Sequence, residues 1–237
     1  MKAVILAGGL GKRLRPITEE MPKPLIPVLG RPIIEWQIEW FKEYGVREFV
    51  VCAGYLKEKI VETLGNGSRL GVKIGYVVEE EPLGTGGAIK NAEVFLRSES
   101  GFFVVNGDVI TDLDPTELIL EEGDPSVIAS IALVPLPSPY GIIDVDGEGN
   151  ILAFREKPVL EDYWINAGVY FFRPAIFEYL PEIGDIEKTA FPELAKSRKL
   201  RGIKYRGVLW KSIDTHKDLE ETEKLLEGKL GRYAPRI

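Results

Sequence analysis

Short apolar runs alternate with amphipathic patterns through the first hundred residues of the chain. Runs rich in β-branched residues predict four strands, at Lys2–Ala7, Glu48–Ala53, Lys73–Val78 and 101–106. Between them, apolar residues recur at helical spacing and predict three helices, at 33–44, 55–64 and 85–96. Because such alternation builds a mostly parallel sheet with helices on both faces, we predict a doubly wound, Rossmann-like α/β fold.

The second half of the chain is less regular. Its pattern predicts strands at 126–135, 166–173 and 202–209, a hairpin that pairs 141–146 with 151–156, and a final helix at 218–227. The sequence contains neither an internal repeat nor a low-complexity linker. We therefore predict one continuous domain over residues 1–237, with a β lobe inserted in its second half.

Two polar turns at the ends of predicted strands carry the candidate chemistry. The sequence GGLGKR at 8–13 follows the first strand, and NGD at 106–108 follows the fourth. Glycines let the backbone approach a phosphate group and present its N–H donors, while Arg15 and Lys23 add positive charge nearby. Ligands of such sheets bind beyond the carboxyl ends of the strands, so we expect both turns to face one cleft.

Two common phosphate-binding templates do not fit the glycine-rich loop. A P-loop requires Ser or Thr after its lysine, but Arg13 follows Lys12. A dinucleotide fingerprint requires a third glycine where Leu14 stands and an acidic residue after the second strand, which ends in VCAG at 51–54. The loop is therefore a different kind of phosphate site.

Composition narrows the classes of function further. Of the 237 residues, 45% are apolar and 28% are charged, as in an ordinary globular protein. The net charge of −7 argues against general nucleic-acid binding, and the single cysteine, Cys52, excludes an intrachain disulfide. We find no targeting segment and no apolar run of about 20 residues that would cross a bilayer, so we expect a cytoplasmic protein without membrane partners.

The stretch AGGLGKRLRPITEEMPKPLIPVLGRP at 7–32 resembles the signature of the sugar-1-phosphate nucleotidyltransferases, in particular the mannose-1-phosphate guanylyltransferases. These enzymes carry G-G-x-G-[ST]-R-L-x-P followed by P-K-P-L-x-P, and both motifs occur here at the family spacing. The resemblance implies that a nucleoside triphosphate and a sugar 1-phosphate are condensed to a nucleotide sugar and pyrophosphate. One position departs from the pattern, because Lys12 stands where Ser or Thr is usual.

The resemblance assigns the first half of the chain, about 1–112, to the nucleotide. Arg13 would neutralise the triphosphate and the leaving pyrophosphate, and Lys23 would contact the transferring phosphate. The loop residues implied in binding the base, ribose and phosphates are Leu6, Ala7, Gly8, Gly9, Gly11, Lys12 and Arg13.

The segment EEEPLGTGGA at 79–88 resembles the base-recognition segment of the family, with Glu81 and Gly86 as the implied contacts. A carboxylate accepts two neighbouring donors of guanine but only one of uracil or thymine. GTP is therefore favoured over UTP and dTTP, which stay alternatives. For Glu79 and Glu80, a solvated strand end is an equally good interpretation.

The resemblance also implies a magnesium site. Asp108, which would take part in catalysis, and Asp214, in WKSIDT at 210–215, would ligate the ion together. Two carboxylates suit Mg²⁺, which keeps several waters and completes its shell with substrate phosphates. Asp112 and Asp114 form a D-x-D of the kind found in metal-binding glycosyltransferases, but we interpret it as a turn at a strand end.

The second half, about 113–237, is assigned to the sugar phosphate. The motifs YGIID at 140–144, EKP at 156–158 and NAGVY at 166–170 recur in this order in the family. By resemblance, Gly141, Glu156 and Asn166 would bond sugar hydroxyls, and Lys157 together with Lys23 would pair the sugar phosphate. Many relatives continue into a β-helical tail of hexapeptide repeats that this sequence lacks, so we expect no added acetyltransferase activity.

The sequence leaves several alternatives open. The sugar is mannose, a heptose or glucose, and relatives often assemble into homo-oligomers. A glycosyltransferase that consumes a nucleotide sugar would depend on Asp112 and Asp114 and give no role to Lys23. A non-catalytic subunit that binds a nucleotide sugar is favoured only by Lys12. Pyrophosphate release from a nucleoside triphosphate and a sugar 1-phosphate separates the predicted enzyme from both.

Overall fold

The computed structural model describes residues 1–121 and 125–227. The strands in these ranges are β1 (Lys2–Ala7), β2 (Pro27–Val28), β3 (Arg31–Pro32), β4 (Glu48–Ala53), β5 (Lys73–Val78), β6 (Phe102–Asn106), β7 (Val109–Thr111), β8 (Ala129–Pro137), β9 (Ile142–Val145), β10 (Ile151–Arg155), β11 (Val159–Phe172), β12 (Leu200–Lys204) and β13 (Trp210–Ser212). The helices are α1 (Ile17–Glu20), α2 (Ile33–Glu43), α3 (Lys57–Leu64), α4 (Gly84–Asn91), α5 (Glu93–Leu96), α6 (Ala190–Lys196) and α7 (His216–Glu227).

Seven strands form a central sheet in the order β12-β8-β11-β6-β1-β4-β5. Its neighbouring pairs are parallel except for those that β11 makes with β6 and β8. The predicted α/β class with a mostly parallel sheet is confirmed. Because the chain runs from β1 outward to β4 and β5 and then returns to β6, the order reverses between β1 and β6, which is where such sheets bind ligands.

Two apolar layers cover the faces of this sheet. On one face Ile5 packs with Ile34 and Phe41 of α2 and with Ile60 of α3. On the other face Val4 packs with residues of α4, α5 and α6. Burying one such large side chain contributes about 1.5–3 kcal/mol, so the alternation along β1 fixes which residues of the strand face each helical layer.

Several predicted elements have different limits in the structure. The helix predicted at 85–96 is two helices, because the N–H of Ala92 bonds the carbonyl of Ile89, three residues back, and tightens the turn. The strand predicted at 166–173 begins earlier, at Val159. Its pairing with β8 already starts there and continues through a polar stretch with two shifts of register. The strands predicted at 126–135 and 202–209 are β8 and β12, shifted by a few residues.

The predicted hairpin is β9 and β10, which form a separate antiparallel two-stranded sheet. The hairpin and the first half of β11 are the elements that belong to the predicted β lobe, whose status as an insertion stays a prediction. Among the helices of 1–121 and 125–227, none has the length and apolar character that a bilayer span requires.

Candidate active site

A cavity of about 470 Å³ lies at the carboxyl ends of β1 and β6, where the order of the sheet reverses. Both turns that the sequence analysis singled out contribute to its wall. The residues that line it are Leu6, Gly8, Gly9, Leu10, Gly11, Lys12, Arg13, Lys23, Pro24, Glu79, Pro82, Gly84, Thr85, Ala88, Asn106, Gly107, Asp108, Asp185 and Asp214.

The two turns approach each other too closely for side chains at some positions. A Cβ atom on Gly107 would lie 2.4 Å from the carbonyl oxygen of Leu6. The N–H of Gly107 donates to that same oxygen at 3.0 Å. A Cβ atom on Gly8 would lie 2.8 Å from the carboxylate of Glu79. Glycines at 8 and 107 therefore let three strand ends meet around one cavity.

Lys23 lies at the centre of the charged part of the cavity. Its Nζ donates to Asp108 Oδ2 at 2.6 Å and to Asp214 Oδ1 at 2.8 Å. Arg13 pairs with the same Asp214 oxygen at 2.8 Å. The side chain of Lys23 is only 12% exposed, whereas that of Arg13 is 70% exposed. Two cations and two carboxylates from distant parts of the chain thus share one site.

A short ribbon brings Asp108 and Asp214 together. Strand β7 pairs with β13 in a register that sets Val109 opposite Ser212. The carbonyl of Asp108 also accepts a bond of 2.9 Å from the N–H of Ile213. Because each aspartate adjoins the ribbon at the same end, both side chains reach Lys23.

The start of α7 leaves Asp214 available to the site. Asp218 accepts the backbone N–H groups of Asp214 at 3.1 Å and Thr215 at 2.7 Å. Asp218 is the third residue of α7, and its own N–H donates at 3.2 Å to the hydroxyl of Thr215, the residue before the helix. The two side chains thus form a reciprocal capping box. Because Asp218 caps the helix, the carboxylate of Asp214 is left to bond Lys23 and Arg13.

Charge and burial act in opposite directions on Asp214. Burial favours the neutral acid, but bonds from Lys23 and the charge of Arg13 outweigh it and hold the pKa of Asp214 below its usual value. The carboxylate therefore stays ionised at neutral pH and keeps its attraction for cations.

A family model described as Nucleotidyl transferase matches residues 2–228 of the chain. The chain belongs to this family. The family predicted from the glycine-rich loop and the Pro-Lys-Pro motif is thereby confirmed.

Individual relatives differ in the nucleotide that their names specify. The chain is 35% identical over 216 residues to the UTP–glucose-1-phosphate uridylyltransferase of Synechocystis sp., which covers 83% of this chain and 56% of that protein. It is 38% identical over 226 residues to the mannose-1-phosphate guanylyltransferase catalytic subunit beta of Danio rerio, which covers 92% of this chain and 62% of that protein. The chain thus spans less than two thirds of either relative.

One similar solved structure matches this chain over nearly the full length of both proteins. HddC from Yersinia pseudotuberculosis matches with a TM-score of 0.73 and 28% identity, over 95% of this chain and 99% of that chain. The same protein has also been solved in a complex with GMP-PN.

Glu79 is a member of the cavity wall that the sequence analysis did not assign. It is 7% exposed, its Oε2 accepts the N–H of Leu83 at 3.3 Å, and its Oε1 has no hydrogen-bond partner within the described residues. Burial raises the pKa of Glu79 above its usual value, against the effect of the Leu83 bond. Interpreting Glu79 as a solvated strand end was wrong, because Gly8 and Gly54 pack directly against it.

Glu81, by contrast, is exposed and does not line the cavity in the described part of the chain. Gly86 is buried, and its N–H donates to the carbonyl of Gly184 at 2.9 Å. Ala7 is also buried, beneath the cavity in the core. Their roles in nucleotide binding stay predictions, and none of the three lines the cavity as Glu79 does.

Lys23, one of the residues predicted for the sugar phosphate, lines the cavity. The other four lie elsewhere, with Gly141, Glu156 and Lys157 next to β9 and β10 and Asn166 in the part of β11 that pairs with β8 in the central sheet. A Cβ atom on Gly141 would lie 3.1 Å from Glu156 Oε2. Glu156 also forms an ion pair of 3.4 Å with Lys157, so these three residues lie next to one another. Asn166 is bonded to the hydroxyl of Tyr170 at 2.8 Å and to the N–H of Gly168 at 2.8 Å. None of the four is among the described residues that line the cavity, so their contacts with sugar stay predictions.

Asp112 and Asp114, the two aspartates of the D-x-D motif, have structural roles. Asp112 accepts the N–H of Leu209 at 2.6 Å. Asp114 caps a short 3-10 turn by accepting the N–H of Thr116 at 2.8 Å. Both carboxylates hold backbone groups outside the cavity wall, in agreement with the turn interpretation.

Asp108 and Asp214 fit a magnesium ion chemically. Their oxygens converge on the single nitrogen of Lys23, at 2.6 and 2.8 Å, so both can approach one cation. Carboxylate oxygens are the hard ligands that Mg²⁺ prefers, and it usually takes only one or two from a protein. Across the described parts of the chain, no group of three or more acidic, histidine or cysteine side chains is placed to hold a metal.

Proposed function

We propose that this protein condenses a nucleoside triphosphate with a sugar 1-phosphate and releases pyrophosphate. The observation that carries the proposal is the convergence of Lys23 with Asp108, Asp214 and Arg13 in a cavity walled by glycines. Transfer between phosphates requires positioning and charge neutralisation more than a covalent nucleophile. This site provides both, and family membership with uridylyl- and guanylyltransferase relatives supports the same reaction.

The roles of the side chains follow from their burial. Lys23, held by two carboxylates at the cavity wall, would contact the phosphate that is transferred. Arg13 is exposed at the rim and would accompany the leaving pyrophosphate. The glycine backbone at 8–11 would lie along the triphosphate. A sugar phosphate is ionised at neutral pH and attacks without a general base, which explains why the site needs no titrating histidine.

Asp108 and Asp214 are the residues that would hold Mg²⁺. When bound, the ion would offset negative charge that develops on the phosphates. The β7–β13 ribbon holds both carboxylates next to Lys23. It would thereby determine where in the cavity the ion is held.

We assign base recognition to Glu79 and favour GTP. Glu79 lines the cavity, and its buried Oε1 lies against Gly8 without a hydrogen-bond partner within 1–121 and 125–227. A carboxylate accepts the two adjacent donors of guanine, whereas uracil and thymine offer it only one. The complex of HddC with GMP-PN supports a guanine nucleotide. The uridylyltransferase from Synechocystis keeps UTP with glucose 1-phosphate as the second candidate.

Glu79→Gln is expected to lower kcat/KM for GTP by about 10- to 100-fold, because hydrogen bonds to a charged acceptor contribute about 1.5–3 kcal/mol. Turnover with UTP should change much less. Steady-state pyrophosphate release with each nucleotide measures this selectivity. Glu81→Gln serves as the matched control two positions away. If Glu81→Gln rather than Glu79→Gln alters the preference, the assignment to Glu79 is wrong.

Lys12→Ser tests the position that departs from the family signature. Lys12 is exposed at the cavity wall, so its charge should act on the triphosphate through water. An interaction of about 1 kcal/mol at such an exposed position corresponds to a KM for the nucleotide about fivefold higher. We expect kcat to stay unchanged and the rise in KM to shrink in high salt. Lys73→Ser, at the opposite end of β5, is the control; a large loss of kcat in Lys12→Ser would contradict this role.

Pyrophosphate measurement tests the proposed function as a class. An enzyme of this kind releases pyrophosphate only when both substrates are present. A glycosyltransferase releases a nucleoside diphosphate from a nucleotide sugar instead, and a regulatory subunit releases neither product. Product analysis by phosphorus NMR distinguishes the three cases in one experiment.

A further inference from the structure

Gln37 is a buried polar residue of α2 that lies next to the site without lining it. The side chain is 1% exposed. Its Nε2 donates to the carbonyl of Asn106 at 2.8 Å and to the carbonyl of Val109 at 2.9 Å. These two carbonyls stand on either side of Gly107 and Asp108. One amide group therefore holds both ends of the turn that carries the Asp108 carboxylate.

The other bonds of this turn each hold a single point. The N–H of Gly107 donates to the carbonyl of Leu6, and the carbonyl of Asp108 accepts from the N–H of Ile213. Gln37 belongs to α2, a helix packed against β7. An amide has two N–H hydrogens, and both are used here. Rotating the amide would set its oxygen against the two carbonyls, so the observed orientation is the one that can bind them.

The amide of Gln37 is satisfied on its donor side only. Its Oε1 is buried without a hydrogen-bond partner among the described residues, which costs free energy. An apolar side chain of the same shape would remove that cost, but it would also take away the donor that the carbonyls of Asn106 and Val109 share. The two bonds to the turn are therefore the reason for an amide at this position.

We propose that Gln37 is a positioning residue that sets the direction of Asp108 toward Lys23 and the metal. This inference rests on the proposed function of the site. Residues that orient a metal ligand from behind affect metal affinity and activity by about 10- to 100-fold. Gln37 acts on the ligand through the backbone turn at 106–109.

The test compares Gln37→Met, which keeps the length of the side chain and removes both donors, with the wild-type protein. We expect kcat for pyrophosphate release to fall about 10- to 100-fold, while KM for both substrates stays close to that of the wild type. Binding of Mn²⁺ alone, followed by electron paramagnetic resonance, should weaken about tenfold. Ile38→Val, a buried neighbour on the same helix, is the control for general loss of packing and should alter neither readout.

Equal kcat and equal Mn²⁺ affinity in Gln37→Met and Ile38→Val would overturn the proposal. If the wild-type protein releases no pyrophosphate with any substrate pair, the proposed function fails, and the Mn²⁺ titration alone then decides the role of Gln37. If Gln37→Met does not fold, Gln37→Asn replaces it. That variant keeps the amide but is one methylene too short to reach both carbonyls, so the same two outcomes apply.

Discussion

Replacing Lys23 with alanine is expected to lower kcat by about 1,000-fold while the domain stays folded. Lys23 is the only described cation that bonds both Asp108 and Asp214, and it is less exposed than Arg13, the other cation paired with Asp214. In the proposed mechanism its removal would leave the transferring phosphate without its nearest cation, and it would leave the two carboxylates facing each other. Steady-state pyrophosphate release gives kcat, and chemical denaturation gives the free energy of unfolding.

The loss of stability should be smaller than the loss of activity. Removing one partner of a fully buried ion pair costs about 3–5 kcal/mol, but Asp108 and Asp214 are 24% and 30% exposed, so we expect about 1–2 kcal/mol. Lys90→Ala is the matched control, because Lys90 is also largely covered and bonds the carbonyl of Phe177 away from the cavity. A Lys23→Ala protein that turns over at the wild-type rate would exclude the role assigned to Lys23.

Asp108→Asn should abolish turnover at any Mg²⁺ concentration, with kcat reduced by at least about 1,000-fold. Asparagine keeps the shape of the side chain, but it presents a neutral ligand in place of a carboxylate. The backbone bonds of the turn to Leu6, Ile213 and Gln37 do not involve the substituted atoms, so the fold should persist. Kinetics over a series of Mg²⁺ concentrations and the unfolding transition measure the two effects.

Asp112→Asn is the informative control for this prediction. Asp112 lies four residues further along and binds the N–H of Leu209 outside the cavity. We expect this variant to lose stability and to keep its turnover. The opposite pattern, with Asp112→Asn inactive and Asp108→Asn active, would favour the alternative of a glycosyltransferase that depends on Asp112 and Asp114.

Three predicted strands agree best with the structure. β1, β4 and β5 begin and end at the predicted residues. β1 and β4 are mostly buried, whereas β5 is a partly exposed strand at the edge of the sheet. The stretch between β1 and α2 carries no usable periodicity. Five prolines interrupt this stretch, which forms α1, two short 3-10 turns and the β2–β3 pair, none of which the pattern indicates.

The grouping of Lys23, Asp108 and Asp214 at one cavity could be expected from the sequence, whereas the place of Glu79 in the cavity wall could not. Lys23, Asp108 and Asp214 follow from motifs whose order is characteristic of the family. Glu79 stands in a row of three glutamates, and composition does not distinguish it from the exposed Glu81. Its position directly after β5, at the same sheet edge as β1 and β6, is the signal that singles it out. Only the packing of Gly8 and Gly54 shows that it is buried.

The most direct test is a matrix of nucleoside triphosphates against sugar 1-phosphates, with pyrophosphate release measured in the presence of Mg²⁺. GTP, UTP, dTTP and CTP would each be combined with mannose, glucose and heptose 1-phosphates. We predict pyrophosphate only when both substrates are present, with GTP giving the highest kcat/KM. If no pair releases pyrophosphate above the Lys23→Ala background, the cavity is not a nucleotidyltransferase site.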